Sequence, residues 1–315
     1  MKRFLVTGGA GFIGAAVCNR LVALGHSVRA LDDLSAGIPE RLSPDVILHR
    51  GDVRDVPKLW TLLQDVDCVL HLAAKVSVPE SINFPRDYND VNVGGTVALM
   101  DAIRVSGQVQ RVVVTSSGAV YGEQDRMPID ETSVPQPQSP YAVSKLAAEM
   151  YVRTLGLLSE VETVILRIFN AYGPYQDIPP SNAPVVPLFL RQAIRGGSLV
   201  LHGNGQQSRD FIYIDDVVEA MVQAALVKDL SGAIINVCSG RETTINELVA
   251  RIAEVTGKRV NTVVRLDQTG GVSRLVGSTE LARQKLNVTP RFDLETGLRE
   301  MLVLGPQFRD FKGRR

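Results

Sequence analysis

Residues 3–14 read Arg3-Phe4-Leu5-Val6-Thr7-Gly8-Gly9-Ala10-Gly11-Phe12-Ile13-Gly14. A short apolar run enters a glycine-rich turn. Beyond it, Ile13, Val17, Leu21 and Leu24 step by four, four and three, one apolar stripe of a helix that Gly25 suits as a stop. The pattern is strand, tight turn, helix. Gly8 permits the turn, Gly11 lets the backbone approach a pyrophosphate, and Gly14 lets the helix lie close on the strand. The unpaired N–H groups and positive dipole end of such a helix face phosphate well.

Working outward, apolar runs that read as strands recur at Ser27–Leu31, Val46–His49, Cys68–Leu72, Arg111–Thr115, Thr163–Ile168 and Ala233–Val237. They are rich in Val, Ile and Leu without polar alternation, as strands buried on both faces of a parallel sheet are. A second helical stripe runs through Val91, Gly95, Leu99 and Ile103, where Gly94 and Gly95 would allow a close backbone approach. Strand and helix in alternation predict an α/β fold, a Rossmann-like doubly wound parallel sheet. After residue 168 the pattern loosens. Pro174, Pro179, Pro180, Pro184 and Pro187 rule out a long helix or central strand there. Residues 1–168, joined by about 212–238, are therefore expected to form a dinucleotide-binding domain. Residues 169–315 are expected to form a smaller, loop-rich α/β lobe for substrate.

Lys plus Arg and Asp plus Glu each total 34 in the 315 residues, so the formal net charge is zero. Neither a nucleic-acid surface nor a polybasic membrane anchor is indicated. Cys18, Cys68 and Cys238 are far apart in apolar runs and read as buried reduced thiols. The four histidines show no metal-ligand spacing, so no metal is expected. The first apolar run stops at Gly8, short of the roughly 7–15 residues a signal peptide needs, and a cytoplasmic setting is expected.

The second strand ends in Asp32-Asp33, 18 and 19 residues past Gly14. A carboxylate there accepts bonds from a ribose diol and repels a 2′-phosphate, which argues for NAD over NADP, and Arg29 and Arg54 are not placed to override it. Tyr141 and Lys145 share a helix face at i and i+4. An ammonium beside the phenol would lower its pKa and make it a usable base. Thr115-Ser116-Ser117 ends the fifth strand, where ligand sites of such sheets lie.

TGGAGFIG (7–14), DDLSAG (32–37), GDVRD (51–55), HLAA (71–74), VNVGGT (91–96), TSSGAVYG (115–122), SPYAVSK (139–145), RIFNAYGP (167–174) and GNGQQSRDFIYIDD (203–216) resemble the NAD-dependent epimerase/dehydratase branch of the extended short-chain dehydrogenase/reductases. The likeness covers nearly the whole chain. It implies NAD held by Gly8, Gly11, Phe12, Ile13, Gly14, Asp32, Asp33, Ser35, Gly37, Asp52, Val53, Leu72, Ala73, Ala74, Lys75 and Ser116. Tyr141 would take a proton from a sugar hydroxyl, Lys145 would hold the nicotinamide ribose, and Ser117 would bond the reacting oxygen. A UDP-sugar would meet Ser77, Ser117, Tyr141 and Asn170, with Arg209 pairing with the diphosphate through its guanidinium fork. Val186 and Leu201, with Pro187, read equally as uridine-pocket wall or as core. The resemblance also implies a homodimer, through helices containing Val91–Ile103 and Tyr141–Leu155.

Within that branch, 4,6-dehydratases resemble T-D-E-V-Y-G after the strand, and uronate decarboxylases carry a Glu before V-Y-G. This chain has Gly118-Ala119, neither of which transfers a proton. That favours a nucleotide-sugar 4-epimerase, inverting carbon 4 of a UDP-hexose or UDP-N-acetylhexosamine through a 4-keto sugar. The alternatives are a nucleotide-sugar dehydratase of an antibiotic or surface-polysaccharide pathway and a UDP-glucuronate 4-epimerase; a non-enzymatic dinucleotide-binding regulator is disfavoured by the intact Tyr141, Lys145 and Ser117. Glucuronate 4-epimerases often show Thr at Asn170 and Arg at Asp177, and Asp177 would repel a sugar carboxylate. The family's R-x-G-D clamp falls on Gln268-Thr269-Gly270-Gly271, without its Arg, for which Arg274 or Arg265 would substitute. Leu275 stands where a bulky Tyr restricts some relatives to unacetylated sugars. The sugar, the nucleotide base and the pathway are left open by these residues.

Overall fold

The computed structural model describes residues 1–265 and 272–308. In chain order its first part runs β1 (Arg3–Thr7), α1 (Phe12–Ala23), β2 (Ser27–Asp32), β3 (Val46–Arg50), α2 (Val56–Leu62), β4 (Cys68–His71), α3 (Val78–Asn83), α4 (Pro85–Tyr88), α5 (Gly95–Ser106), β5 (Arg111–Ser117), α6 (Pro140–Leu158) and β6 (Glu162–Ile168). There follow β7 (Asn170–Tyr172), α7 (Val185–Arg195), β8 (Ser198–His202), β9 (Ser208–Arg209), β10 (Phe211–Tyr213), α8 (Ile214–Leu226) and β11 (Ala233–Val237). The last elements are β12 (Thr243–Thr244), α9 (Ile245–Thr256), β13 (Asn261–Arg265), β14 (Arg274–Leu275), α10 (Glu280–Leu286) and α11 (Leu294–Leu304). Outside residues 212–238, the stretch after residue 168 holds α7, α9, α10 and α11 with short strands among the described residues.

The central sheet has seven parallel strands in the order β11-β6-β5-β4-β1-β2-β3. β4 is buried throughout, and β5 is buried except at its last residue, as expected for strands covered on both faces. The order reverses between β1 and β4, which opens a crevice at their carboxyl ends. Among the described residues no helix is long and apolar enough to cross a membrane.

Close backbone approach fixes the first turn. Gly8 has φ of +68°, and a Cβ on Gly14 would stand 2.0 Å from the Gly8 carbonyl oxygen. Only a residue without a side chain lets α1 start that close to β1. The expected long helix through Val91–Ile103 is instead a π-helical turn, Asn89–Gly94, running into α5. A Cβ on Gly95 would meet Val53 at 2.5 Å, while one on Gly94 would meet nothing closer than 3.9 Å. The close approach therefore belongs to Gly95 alone.

His71, at the end of β4, ties three elements together. Its Nδ1 lies 2.7 Å from the Thr7 hydroxyl and its Nε2 lies 2.9 Å from the Thr96 hydroxyl. Thr96 donates its own proton to the Asn92 carbonyl at 2.6 Å, so Nε2 must donate to Thr96 and Nδ1 accepts from Thr7. Burial, with Lys145 nearby, pushes the imidazole pKa down to about 3. Between about pH 6.5 and 3 the unfolded chain takes up a proton that the native state refuses, so stability falls as pH falls through that window. Urea unfolding of wild type and His71→Gln at pH 7.5 and pH 5 checks this. The variant is expected to be less stable at pH 7.5, and to lose less on acidification than wild type, by about 2 kcal/mol.

Candidate active site

Ser139 caps α6 by accepting from the Ala142 N–H at 3.1 Å, and Pro140 occupies the first turn. This start places Tyr141 and Lys145 one turn apart, both buried, on the face toward β5. The Lys145 ammonium donates to the Thr115 carbonyl at 3.0 Å. The Ser117 hydroxyl favours the charged form of the Tyr141 phenol, and the Tyr88 ring stands edge-on to that phenol at 6.4 Å. The three candidate catalytic residues are thus together at the carboxyl end of β5.

The electrostatics differ from expectation in one respect. Burial raises the Tyr141 pKa, and Ser117 only partly offsets it. Burial also pushes Lys145 down to about 8, with Glu149 acting in the opposite direction. Glu149 lies a further turn along α6 and is fully engaged by Arg167 of β6, at 2.9 and 2.7 Å. The Arg167 guanidinium also stacks 4.7 Å from the centre of the Tyr121 ring.

Around the crevice, Gly8, Gly11 and Gly14 form the turn, and Phe12 and Ile13 are half-buried against the core. Asp32 is buried; its two oxygens accept from the Ala10 and Leu34 N–H groups, both at 2.9 Å, and Gly37 closes over it. Asp33 is exposed and bonds the Ser35 N–H and hydroxyl at 2.9 and 2.6 Å. Of the two acids, Asp32 therefore faces the crevice. Asp52 holds Arg54 at 2.9 Å, and Arg29 is held by the Leu62 and Gln64 carbonyls, so neither arginine reaches Asp32. Val53 is buried against Gly95, and Leu72, Ala73 and Ala74 line the exit of β4. Lys75 Nζ pairs with Glu80 at 3.3 Å, while the Ser77 hydroxyl caps α3. Ser116 carries a buried hydroxyl with no partner among the described residues.

The second group of candidates lies on the small sheet β12-β9-β14 and on β7. Asn170 begins β7, and its N–H donates to the Asp210 carbonyl at 3.0 Å. In the β9–β14 register Ser208 faces Arg274 and Arg209 faces Leu275. Paired residues share a face and neighbours alternate. Accordingly Ser208 and Arg274 both bind Glu242, at 2.6 and 2.7 Å. Glu123, which bonds Ser273 at 2.9 Å, lies on the side of Arg209 and acts on its charge. Arg274 thus points away from Arg209, and its expected place in the same diphosphate clamp is corrected. Arg265 is exposed on β13, and Gln268-Thr269-Gly270-Gly271 lies outside the described residues.

Two further expectations change. Val186 and Leu201 are 2% and 3% exposed within the main core, which leaves them almost no surface for a uridine; the core reading holds. Asp177 is gripped by Arg41 at 2.7 and 3.1 Å, so the repulsion expected of it is already neutralised. Sequence reasoning also missed three residues. Asn92, in the π-helical turn, holds the Lys75 backbone and the Ser144 hydroxyl. Glu149 was detectable as an acid four residues after Lys145. Asp210, pushed up to about 6 by burial, accepts from the N–H groups of Ser239, Gly240 and Gly277, which no local pattern reveals.

Residues 4–238 match the NAD dependent epimerase/dehydratase family. The chain belongs to that family. It is 36% identical over 303 residues to the UDP-glucose 4-epimerase of Mycolicibacterium smegmatis, covering 94% of this chain and 96% of that one. A UDP-glucose 4-epimerase from Thermotoga maritima, solved with UDP-glucose, superposes with a TM-score of 0.92 at 33% identity, covering 98% and 99% of the two chains. A UDP-N-acetylglucosamine 4-epimerase from Methanobrevibacter ruminantium M1, solved with UDP-N-acetylmuramic acid, gives 0.89 at 34% identity, covering 96% and 97%.

NAD is the family's cofactor, and the crevice fits it. In the Gly8–Gly14 turn a Cβ on Gly11 would meet only the Gly8 carbonyl oxygen, at 3.3 Å, which leaves that backbone open to a ligand; Asp32 stands at the end of β2, and the Ser116 hydroxyl is buried without a partner among the described residues. Replacing Tyr141 by Phe is expected to lower turnover about 10²–10⁴-fold while NAD stays bound. Steady-state rates and the nucleotide content of the purified protein check both halves.

Proposed function

We propose that this enzyme is an NAD-dependent UDP-sugar 4-epimerase, inverting carbon 4 of a UDP-hexose or UDP-N-acetylhexosamine through a transient 4-keto sugar. The observation that carries this reading is the Tyr141–Ser117 pair, with Lys145 beside it and no further proton-transfer group at Gly118 or Ala119. NAD, when bound, supplies the hydride acceptor and donor for carbon 4. Tyr141 takes the 4-hydroxyl proton and later returns it. Ser117 orients that oxygen beside the phenol. Lys145, held by the Thr115 carbonyl, supplies a fixed positive charge where phenolate forms. Arg209 and Asn170 bind the diphosphate, which anchors the nucleotide while the sugar turns. Gly8, Gly11, Phe12, Ile13, Gly14, Asp32, Ser35, Gly37, Asp52, Val53 and the segment from Leu72 to Lys75 hold the dinucleotide. Residues 1–168 with 212–238 serve as the NAD domain and the rest as the substrate lobe.

The Arg41–Asp177 pair favours a second sugar, because a neutralised Asp177 no longer repels a carboxylate: UDP-glucuronate belongs among the substrates to be tested. Purified protein should convert UDP-glucose, UDP-N-acetylglucosamine or UDP-glucuronate to its axial 4-hydroxyl epimer without added NAD, read by proton NMR of the anomeric signal. Loss of water from the sugar, or no turnover of any of the three, would sink the epimerase reading.

The same reading includes a cytoplasmic homodimer. α6 exposes Val143, Met150, Leu157 and Leu158, and the neighbouring Ile82 and Phe84 are exposed too. Val143, Met150 and Leu157 recur every seven residues and so share one stripe, the kind of face a second copy covers. Light scattering on a sizing column should give twice 34.2 kDa, and Met150→Glu with Leu157→Glu should return the mass toward 34.2 kDa.

A further inference from the structure

Ser117 and Ile168 are partners in the β5–β6 register, so Gly118 and Phe169 stand side by side one step beyond them. Phe169 is 5% exposed. A Cβ on Gly118 would lie 3.1 Å from Phe169 Cγ and Cδ1 and 3.2 Å from Cδ2, face-on to the ring. At the other end of the ring, a Cβ on Gly277 would lie 2.7 Å from Cζ and 2.9 Å from Cε2. The phenyl ring therefore occupies a slot with a glycine packed against each end. The Tyr121 ring, 6.4 Å away and tilted by 37°, is also packed in this cluster. The ring has no room to recede from a longer side chain at position 118.

A 4-keto sugar acidifies the protons on the carbons flanking the carbonyl. A base placed there removes such a proton, and an acid can then release a hydroxyl one carbon further on as water. We propose that Phe169 is a specificity-determining residue: it fills the space a proton-transfer side chain at position 118 would need, and so keeps a base at that position from the carbons flanking the keto group. This rests on the epimerase reading above. Absence of an acid at position 118 is then a packing constraint as well as a matter of composition.

The test compares wild type, Gly118→Ala, Phe169→Ala and the pair. Gly118→Ala should lower the melting temperature by about 3–8 °C in wild type and by less than half of that beside Phe169→Ala. Equal losses in both backgrounds overturn the steric claim. Phe169→Val serves as the enlarged background if Phe169→Ala does not fold. Next, the folded pair Gly118→Asp with Phe169→Ala turns over UDP-sugar in D₂O. Its new carboxylate should take a proton from carbon 3 or 5 and return a deuteron, seen by NMR, where wild type leaves both positions protonated. A folded pair that epimerises without deuterium uptake overturns the chemical claim. Wild type that epimerises no UDP-sugar defeats the epimerase reading instead, and the melting cycle still reports on the slot.

Discussion

Two opposite charges buried together hold the site in place. Glu149 and Arg167 are each 3% exposed, and they join α6 to β6 through two hydrogen bonds. Removing one partner of such a pair costs about 3–5 kcal/mol, because the other charge is left buried alone. α6 also carries Tyr141 and Lys145, and β6 borders β5, whose end supplies Thr115 and Ser117. The depth and rotation of α6 against the sheet therefore decide whether the phenol meets Ser117 and the ammonium meets the Thr115 carbonyl. Asn92 supports the other flank of α6 by bonding Ser144. The helix is clamped from two sides, by a charge pair and by an amide.

Much of the fold was legible because it rests on local rules. Buried parallel strands leave unbroken apolar runs, and all seven runs became strands of one sheet, displaced by one or two residues at some ends. The turn from Gly8 to Gly14 was legible because a Cβ on Gly14 would stand 2.0 Å from the Gly8 carbonyl oxygen, which admits no other residue there. Tyr141, Lys145 and Ser117 came together because helix periodicity and strand ends place them so.

The remainder depends on partners distant in sequence. Asp177 reads as a free acid until Arg41, 136 residues earlier, is folded against it. Arg274 reads as a stand-in phosphate clamp until strand register turns it to the opposite face from Arg209. Asp32 and Asp33 are indistinguishable as neighbours in sequence, and only the Ala10 and Leu34 N–H groups select Asp32 for the interior. Tyr141 was expected to be acidified by Lys145, but the strength of that effect depends on where the ammonium points and on how dry the phenol is.

That last point bears on how the base works. Three buried charges sit on α6 and β6: Lys145 and Arg167, both positive, and Glu149, negative; His71, also buried, stays neutral at ordinary pH. Two cations against one anion leave a single positive charge without a buried counter-ion. Burial opposes phenolate formation, as the raised pKa of Tyr141 shows. A phenolate at that position would nevertheless bring the cluster to neutrality, and it would form where water cannot screen the attraction. Glu149 sets this balance: it offsets Arg167, so that the excess charge belongs to Lys145, a turn away from the phenol. The buried pair that fixes the helix also decides which cation Tyr141 answers to.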